Sequence, residues 1–380
     1  MARLLSFNDY GILNSMVYDI GKIDLRALIL PAARAGEALA RLDERVARSP
    51  IRDGFLERQN FADAIASLWV DGELVHLEDL VLHDARLDIR TPTHELTIAH
   101  SILRARRQIF AHPREWALSA AGVARLRGRG VGDEPGLPCS NLPLSADEDD
   151  DDLAFGDRDH DDDFAEIDAV LARSTAVLDG SAVARPAGDR DPLVYDADWD
   201  EDERLEQWRV VLGETDGLSP VLRASILLDA WNAIEVLQHR AELGRQLVAS
   251  LLRRDGTTPA HLPALNIGLR SVRRERRHAG SQMTRIMAML EAFSAAAELG
   301  MKEHDRILLA RQQLERQTSA RSVNSKLSRL VDLVVARPVV SATMIAQELN
   351  VTPQGARHLA AQLPLREMTG RGRFRAWGVL

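Results

Sequence analysis

SATMIAQELNVTPQGARHLAAQLPLREMTGRGRFRAWGVL, residues 341–380, closes the chain and decides how the rest is read. Ser341 is placed to N-cap a helix whose inward face is Ile345, Ala346 and Leu349. Asn350-Val351 makes a tight turn, and Thr352-Pro353 opens the next helix with a cap and a first-turn proline. The inward side of that helix is Ala356, Leu359, Ala360 and Leu363, and Pro364 stops it. Leu365 to Met368 reads as a short strand, residues 369–372 as a turn with two glycines, and Arg373 to Val379 as a second strand. Upstream, Val323, Leu327, Leu330, Val331 and Val334 share one face of a helix over 322–336, ended by Arg337-Pro338. Three short helices, a capped turn and a two-stranded hairpin in this order predict a winged helix-turn-helix domain over 319–380.

The outward residues of the third helix set the functional expectation. Thr352, Gln354, Arg357 and His358 fall on its first turns, away from the apolar side. These residue types bond base edges and phosphates in a major groove. Arg371 and Arg373 stand at the wing tip, placed to touch backbone phosphate or a minor groove. The six residues are the candidate DNA-binding set, and double-stranded DNA is the expected partner. Charge is distributed in keeping with this. The net charge is -9, yet residues 301–380 carry thirteen Lys and Arg against six Asp and Glu. That leaves the basic end at +7 and the remainder at -16. Winged modules also bind proteins, so a scaffold or antitoxin-like role is the competing reading of the same domain.

Working outward, 380 residues are too many for one ordinary core. Apolar spacing near 3.6 predicts helices over 25–46, 55–68, 78–84, 93–110, 119–128, 164–178 and 196–206. It also predicts one long helix over 221–254, then helices over 281–300 and 302–318. The chain is therefore expected to be mainly α. Residues 1–128 form an N-terminal helical region, and 164–318 complete the main domain. Between them, 129–163 reads as an acidic, disordered insertion, because thirteen acidic residues crowd Asp147 to Asp168 and repel one another. That run lacks the alternating ligands of a calcium loop, and the single Cys139 excludes an all-cysteine zinc site. No metal and no cofactor are expected. The first ten residues lack the apolar core of a signal peptide. No stretch reaches the roughly 18 uncharged apolar residues of a membrane helix, so a cytoplasmic protein is expected. Region 1–318 exceeds what a DNA module needs, which points to homodimer formation and to sensing of a small-molecule effector. Met283, Ile286, Met287, Leu290 and Phe293 offer an adaptable apolar face for the dimer.

Two resemblances add to this. The whole chain resembles a proteobacterial, especially rhizobial, group that pairs a domain of unknown function with a C-terminal helix-turn-helix and is usually described as regulatory. Residues 337–380 also resemble the winged domain that follows the catalytic core of many Fic-family proteins. Ser67-Leu68-Trp69-Val70-Asp71-Gly72 has the spacing of the Fic self-inhibitory helix motif, with Asp in place of Glu. His239-Arg240-Ala241-Glu242-Leu243-Gly244-Arg245 resembles the Fic catalytic motif. The resemblance implies a degenerate Fic-like helical domain with His239, Glu242 and Arg245 as remnants of the base, the acidic metal holder and the phosphate-cradling arginine. The spacing is two residues short, and the Phe, the Asn and the Gly-x-Gly nest are missing. With Leu243 where the cradle opens, the chain is expected to continue as helix and leave the three residues as a surface set at i, i+3 and i+6. The leading expectation is a DNA-binding transcriptional regulator, and the enzymatic alternative is a divergent Fic-like nucleotidyl transferase.

Overall fold

In the computed structural model the described residues are 18–87, 91–128, 199–318, 326–368 and 375–378. The expected acidic insertion 129–163, the helix over 164–178, Cys139 and the wing-tip Arg371 and Arg373 lie outside them. The described residues up to Gly128 and from Asp200 onward belong to one compact unit.

Its spine is a single helix of 37 residues, Gln282–Thr318, about 55 Å long at 1.5 Å per residue. The two separate helices expected here are thus one. Gly300, the expected break, lies inside it, and its missing side chain leaves room for Leu42, whose Cδ2 would lie 2.6 Å from an added Cβ. Around the spine are α1 (Leu25–Ala47), α2 (Arg52–Asp71), α3 (Leu77–Asp84), α4 (His94–Ala111) and α5 (Ala120–Leu126). Then come α6 (Glu201–Glu214), α7 (Pro220–Ile234), α8 (Ala241–Arg254), α9 (Leu265–Ser271) and α10 (Arg274–Arg277), with the spine itself as α11. Local signals start them: Asp24, Thr93, Ser119 and Asp200 cap α1, α4, α5 and α6 through their side chains. α1 runs through Pro31 without a break.

α7 is buried on nearly every side from Val221 to Trp231, the pattern of a helix at the centre of a core. It ends at Glu235, whose φ of 52° places it in the left-handed region. The continuous helix expected over 221–254 is therefore two helices, joined by residues 235–240. Ile286, Leu290 and Phe293 of α11 are buried in the same core, and Met283 and Met287 pack against it. This corrects the expectation of a dimer face there, since Ile286, Leu290 and Phe293 fill the interior of one chain and Met283 and Met287 are half-buried against it.

The C-terminal module holds α12 (Lys326–Ala336), β1 (Val340–Ser341), α13 (Ala342–Leu349), α14 (Pro353–Ala360), β2 (Arg366–Glu367) and β3 (Ala376–Gly378). β3 lies between β1 and β2, antiparallel to both. Val340 pairs with Trp377, and Arg366 with Gly378. β1 was not expected from sequence, because two residues show no alternation. The fold is the expected one: mainly α, with a winged helix-turn-helix at the end.

The module shares its core with the helical body. Leu330, Val334, Ile345 and Leu349 join Leu42, Val46, Phe55 and Ile307. Val339 and Ala376 join Phe61, Leu80 and Ile102. Gly54 of α2 lets α12 approach, for an added Cβ would lie 2.9 Å from Ala336 Cα. Buried Arg58 donates to the carbonyls of Val334 and Val335, each at 2.7 Å, and of Arg337 at 2.8 Å. These include carbonyls that the end of α12 leaves without helical partners.

Candidate nucleic-acid interface

α13 begins where Ser341 Oγ accepts from the Met344 N–H at 3.2 Å. It ends at Asn350, a left-handed residue with φ 49°, whose N–H turns back to α13 carbonyls. The N–H of Val351 closes the turn on Ala346 O at 3.0 Å. Thr352 Oγ1 then accepts from the Gly355 N–H at 3.1 Å and starts α14. Ala356 and Ala360 are buried against the module, which aims the opposite side outward. Thr352, Gln354, Arg357 and His358 are all exposed, so the four expected contact residues of α14 come together on one open face. Arg357 Nε donates to Pro353 O at 3.4 Å.

Two cations beside this turn were not singled out from sequence. Lys326 Nζ donates to Asn350 O at 3.1 Å, and Arg329 Nη2 to Glu348 O at 2.7 Å. They satisfy carbonyls at the end of α13 and suit its negative dipole end. Their i, i+3 spacing on α12 was the only sequence signal. Arg366 is exposed on β2, and exposed Arg375 lies 3.5 Å from Glu367 across the hairpin.

The Fic-like residues are arranged differently. α8 runs without interruption through Leu243 and Gly244. Gly244 packs on the Trp231 ring, where an added Cβ would come within 2.4 Å of Cγ. His239 is exposed in the segment before α8, whereas Glu242 and Arg245 are buried. The three do not form a surface set, which corrects that expectation. Glu242 accepts from Arg240 Nε at 3.1 Å. Arg245 donates to Ser67 Oγ at 2.8 Å and to Asp71 at 3.0 Å, so the two segments that carry the resemblance do meet. The meeting is an ion pair between α2 and α8, and the backbone of a continuous helix offers no open nest of N–H groups at Gly244. Among the described residues no group of three His, Cys, Asp or Glu could hold a metal ion.

These features define a class: a helical protein ending in a winged helix-turn-helix DNA-binding domain. Residues 327–380 match the family described as "HTH DNA binding domain". Residues 193–319 match the family described as "Protein of unknown function (DUF1612)". "Uncharacterized protein y4cF" of Sinorhizobium fredii (strain NBRC 101917 / NGR234) is 51% identical over 380 residues, covering 96% of this chain and 100% of its own length. The chain belongs to the family that joins a DUF1612 domain to a C-terminal helix-turn-helix DNA-binding domain. No helix among the described residues is long and apolar enough to cross a membrane.

Proposed function

We propose that this protein is a transcriptional regulator of the cytoplasm that reads duplex DNA with the first turns of α14. The observation that carries the reading is the shared exposure of Thr352, Gln354, Arg357 and His358 on a helix whose other side is locked into the module. Gln and Arg there have the donor and acceptor sets that distinguish base pairs in the major groove. Lys326 and Arg329 flank the turn with positive charge suited to phosphates. Arg371 and Arg373 take the wing contact. Regulation by such a small module calls for two half-sites, so a homodimer belongs to the proposal. Its interface uses a surface other than the Met283–Phe293 face, which is occupied inside the chain. A small-molecule effector acting through the helical body completes the reading. The continuous α8 supports no nucleotidyl-transfer alternative.

Footprinting of the full chain on the DNA flanking its own gene tests the proposal. Protection of a defined site, at lower concentration than random duplex requires, is the expected result. Equal affinity for every duplex, or none, overturns it. Recovery of a stable protein partner in place of DNA binding would assign the module to protein recognition instead.

A further inference from the structure

At the C-terminal end of α2 the chain leaves a cleft of about 490 Å³. One wall is residues 69–74 and the other is the α9–α10 corner, residues 270–277. Four arginines line it, Arg270, Arg273, Arg274 and Arg277, against one carboxylate, that of Glu73. Asp71 stands nearby, but its oxygens are taken by Arg245. Among the described residues none of the four arginines forms an ion pair. Arg277 is the informative one. It is only 7% exposed, at the wall of the cleft, and its Nε donates to Val272 O at 3.2 Å. Burial, together with the charge of Arg245, pushes its guanidinium below the ordinary arginine value and outweighs the opposing charges of Asp71 and Glu275. A covered cation without a carboxylate is costly unless something supplies the negative charge. The other wall supplies a flat apolar surface: Trp69 is 38% exposed, with the Arg270 guanidinium 5.3 Å from its ring centre, and Leu74 beside it is 78% exposed. Surface arginines alone would be an ordinary solvated corner. An open cleft that combines a covered, unpaired arginine, three further arginines and an accessible indole has the composition of a binding site with an anionic end and an apolar end.

We propose that this cleft binds a small organic phosphate, its phosphoryl group held by Arg273, Arg274 and Arg277 and its apolar part laid against Trp69 and Leu74. The proposal does not rest on the DNA reading, because the cleft's residues are separate from α14. α2 links the two regions physically, lining the cleft with Trp69 and holding the DNA module through Gly54 and Arg58.

Calorimetric titration of the full chain with phenyl phosphate and, in parallel, with inorganic phosphate tests it. Both are expected to bind saturably, phenyl phosphate several-fold more tightly. R273A/R274A removes two exposed side chains, so the fold is retained, and it is expected to weaken both by at least about tenfold, as the loss of charge-assisted hydrogen bonds implies. Trp69→Ala is expected to abolish the preference for phenyl phosphate while leaving inorganic phosphate binding unchanged. No saturable heat with either probe, or equal binding by the double variant, overturns the proposal. If R273A/R274A lowers affinity for duplex DNA and the wild type binds neither probe, the arginines are a second DNA-backbone contact and the small-molecule site is likewise overturned.

Discussion

The Arg58 guanidinium of α2 donates to the Val335 main-chain carbonyl of α12 at 2.7 Å, so the body caps the first helix of the DNA module. The same guanidinium reaches Val334 and Arg337. The module is therefore held in a fixed orientation by buried hydrogen bonds and by a shared apolar core, rather than hung on a tether.

Arg58→Ala is expected to destabilise the protein by about 3 kcal/mol, because hydrogen bonds from a charged donor are lost and buried carbonyls are left unmade. Denaturant unfolding gives the magnitude. Hydrogen exchange should locate the loosening at the C-terminal turn of α12. Unchanged exchange there would show that the clasp does not hold the module.

Gly54→Val is expected to cost roughly 1–3 kcal/mol by overpacking, since even a Cβ would meet Ala336 Cα at 2.9 Å. Thermal unfolding of the variant measures it. A neutral result would mean that α2 and α12 separate more easily than their close approach implies.

Gly244→Ala separates packing from chemistry. Its Cβ would collide with the Trp231 ring. The expected outcome is a loss of about 2 kcal/mol of stability. DNA affinity measured below the unfolding transition should stay unchanged.

Acid should weaken the seam between body and module. Burial alone would raise the Asp84 carboxyl. Hydrogen bonds from His100 and Arg107, with the charges of Arg107 and Arg337, instead hold it well below its ordinary 3.8. Arg337 Nη1 contacts Asp84 at 3.3 Å and Glu57 at 3.2 Å. A carboxylate with a depressed folded-state value contributes stability that is present above its unfolded value and lost as pH falls through the folded one. Stability should therefore decline from about pH 4 downward. Asp84→Asn should lower stability at neutral pH and flatten that acid limb. A variant with the same acid dependence as wild type would remove Asp84 as its cause.

Arg357→Ala is expected to cost about 1–3 kcal/mol on the preferred DNA site and to relax discrimination at one base position. Arg371→Ala should weaken all duplexes evenly and lower the salt slope by about one. Competition binding at several salt concentrations distinguishes the two effects.

The sequence by itself determined the helix-turn-helix. Ser341, Asn350, Thr352 and Pro353 act on backbone groups within a few residues of themselves, and the apolar spacing of α13 and α14 marks the buried side. The exposed face of α14 was legible for the same reason. Only the tertiary structure decided the features set by distant chain segments. Leu42 fills the space beside Gly300 inside the unbroken α11, and Trp231 fills the space above Gly244, so both glycines serve packing. Ser67 and Asp71 take Arg245, and Arg58 caps α12. The physical reason is range. Caps and helical periodicity are written in adjacent residues, whereas the partner of a buried charge or a close-packed glycine is chosen by which helices meet, and that is known only once the chain has closed around its core.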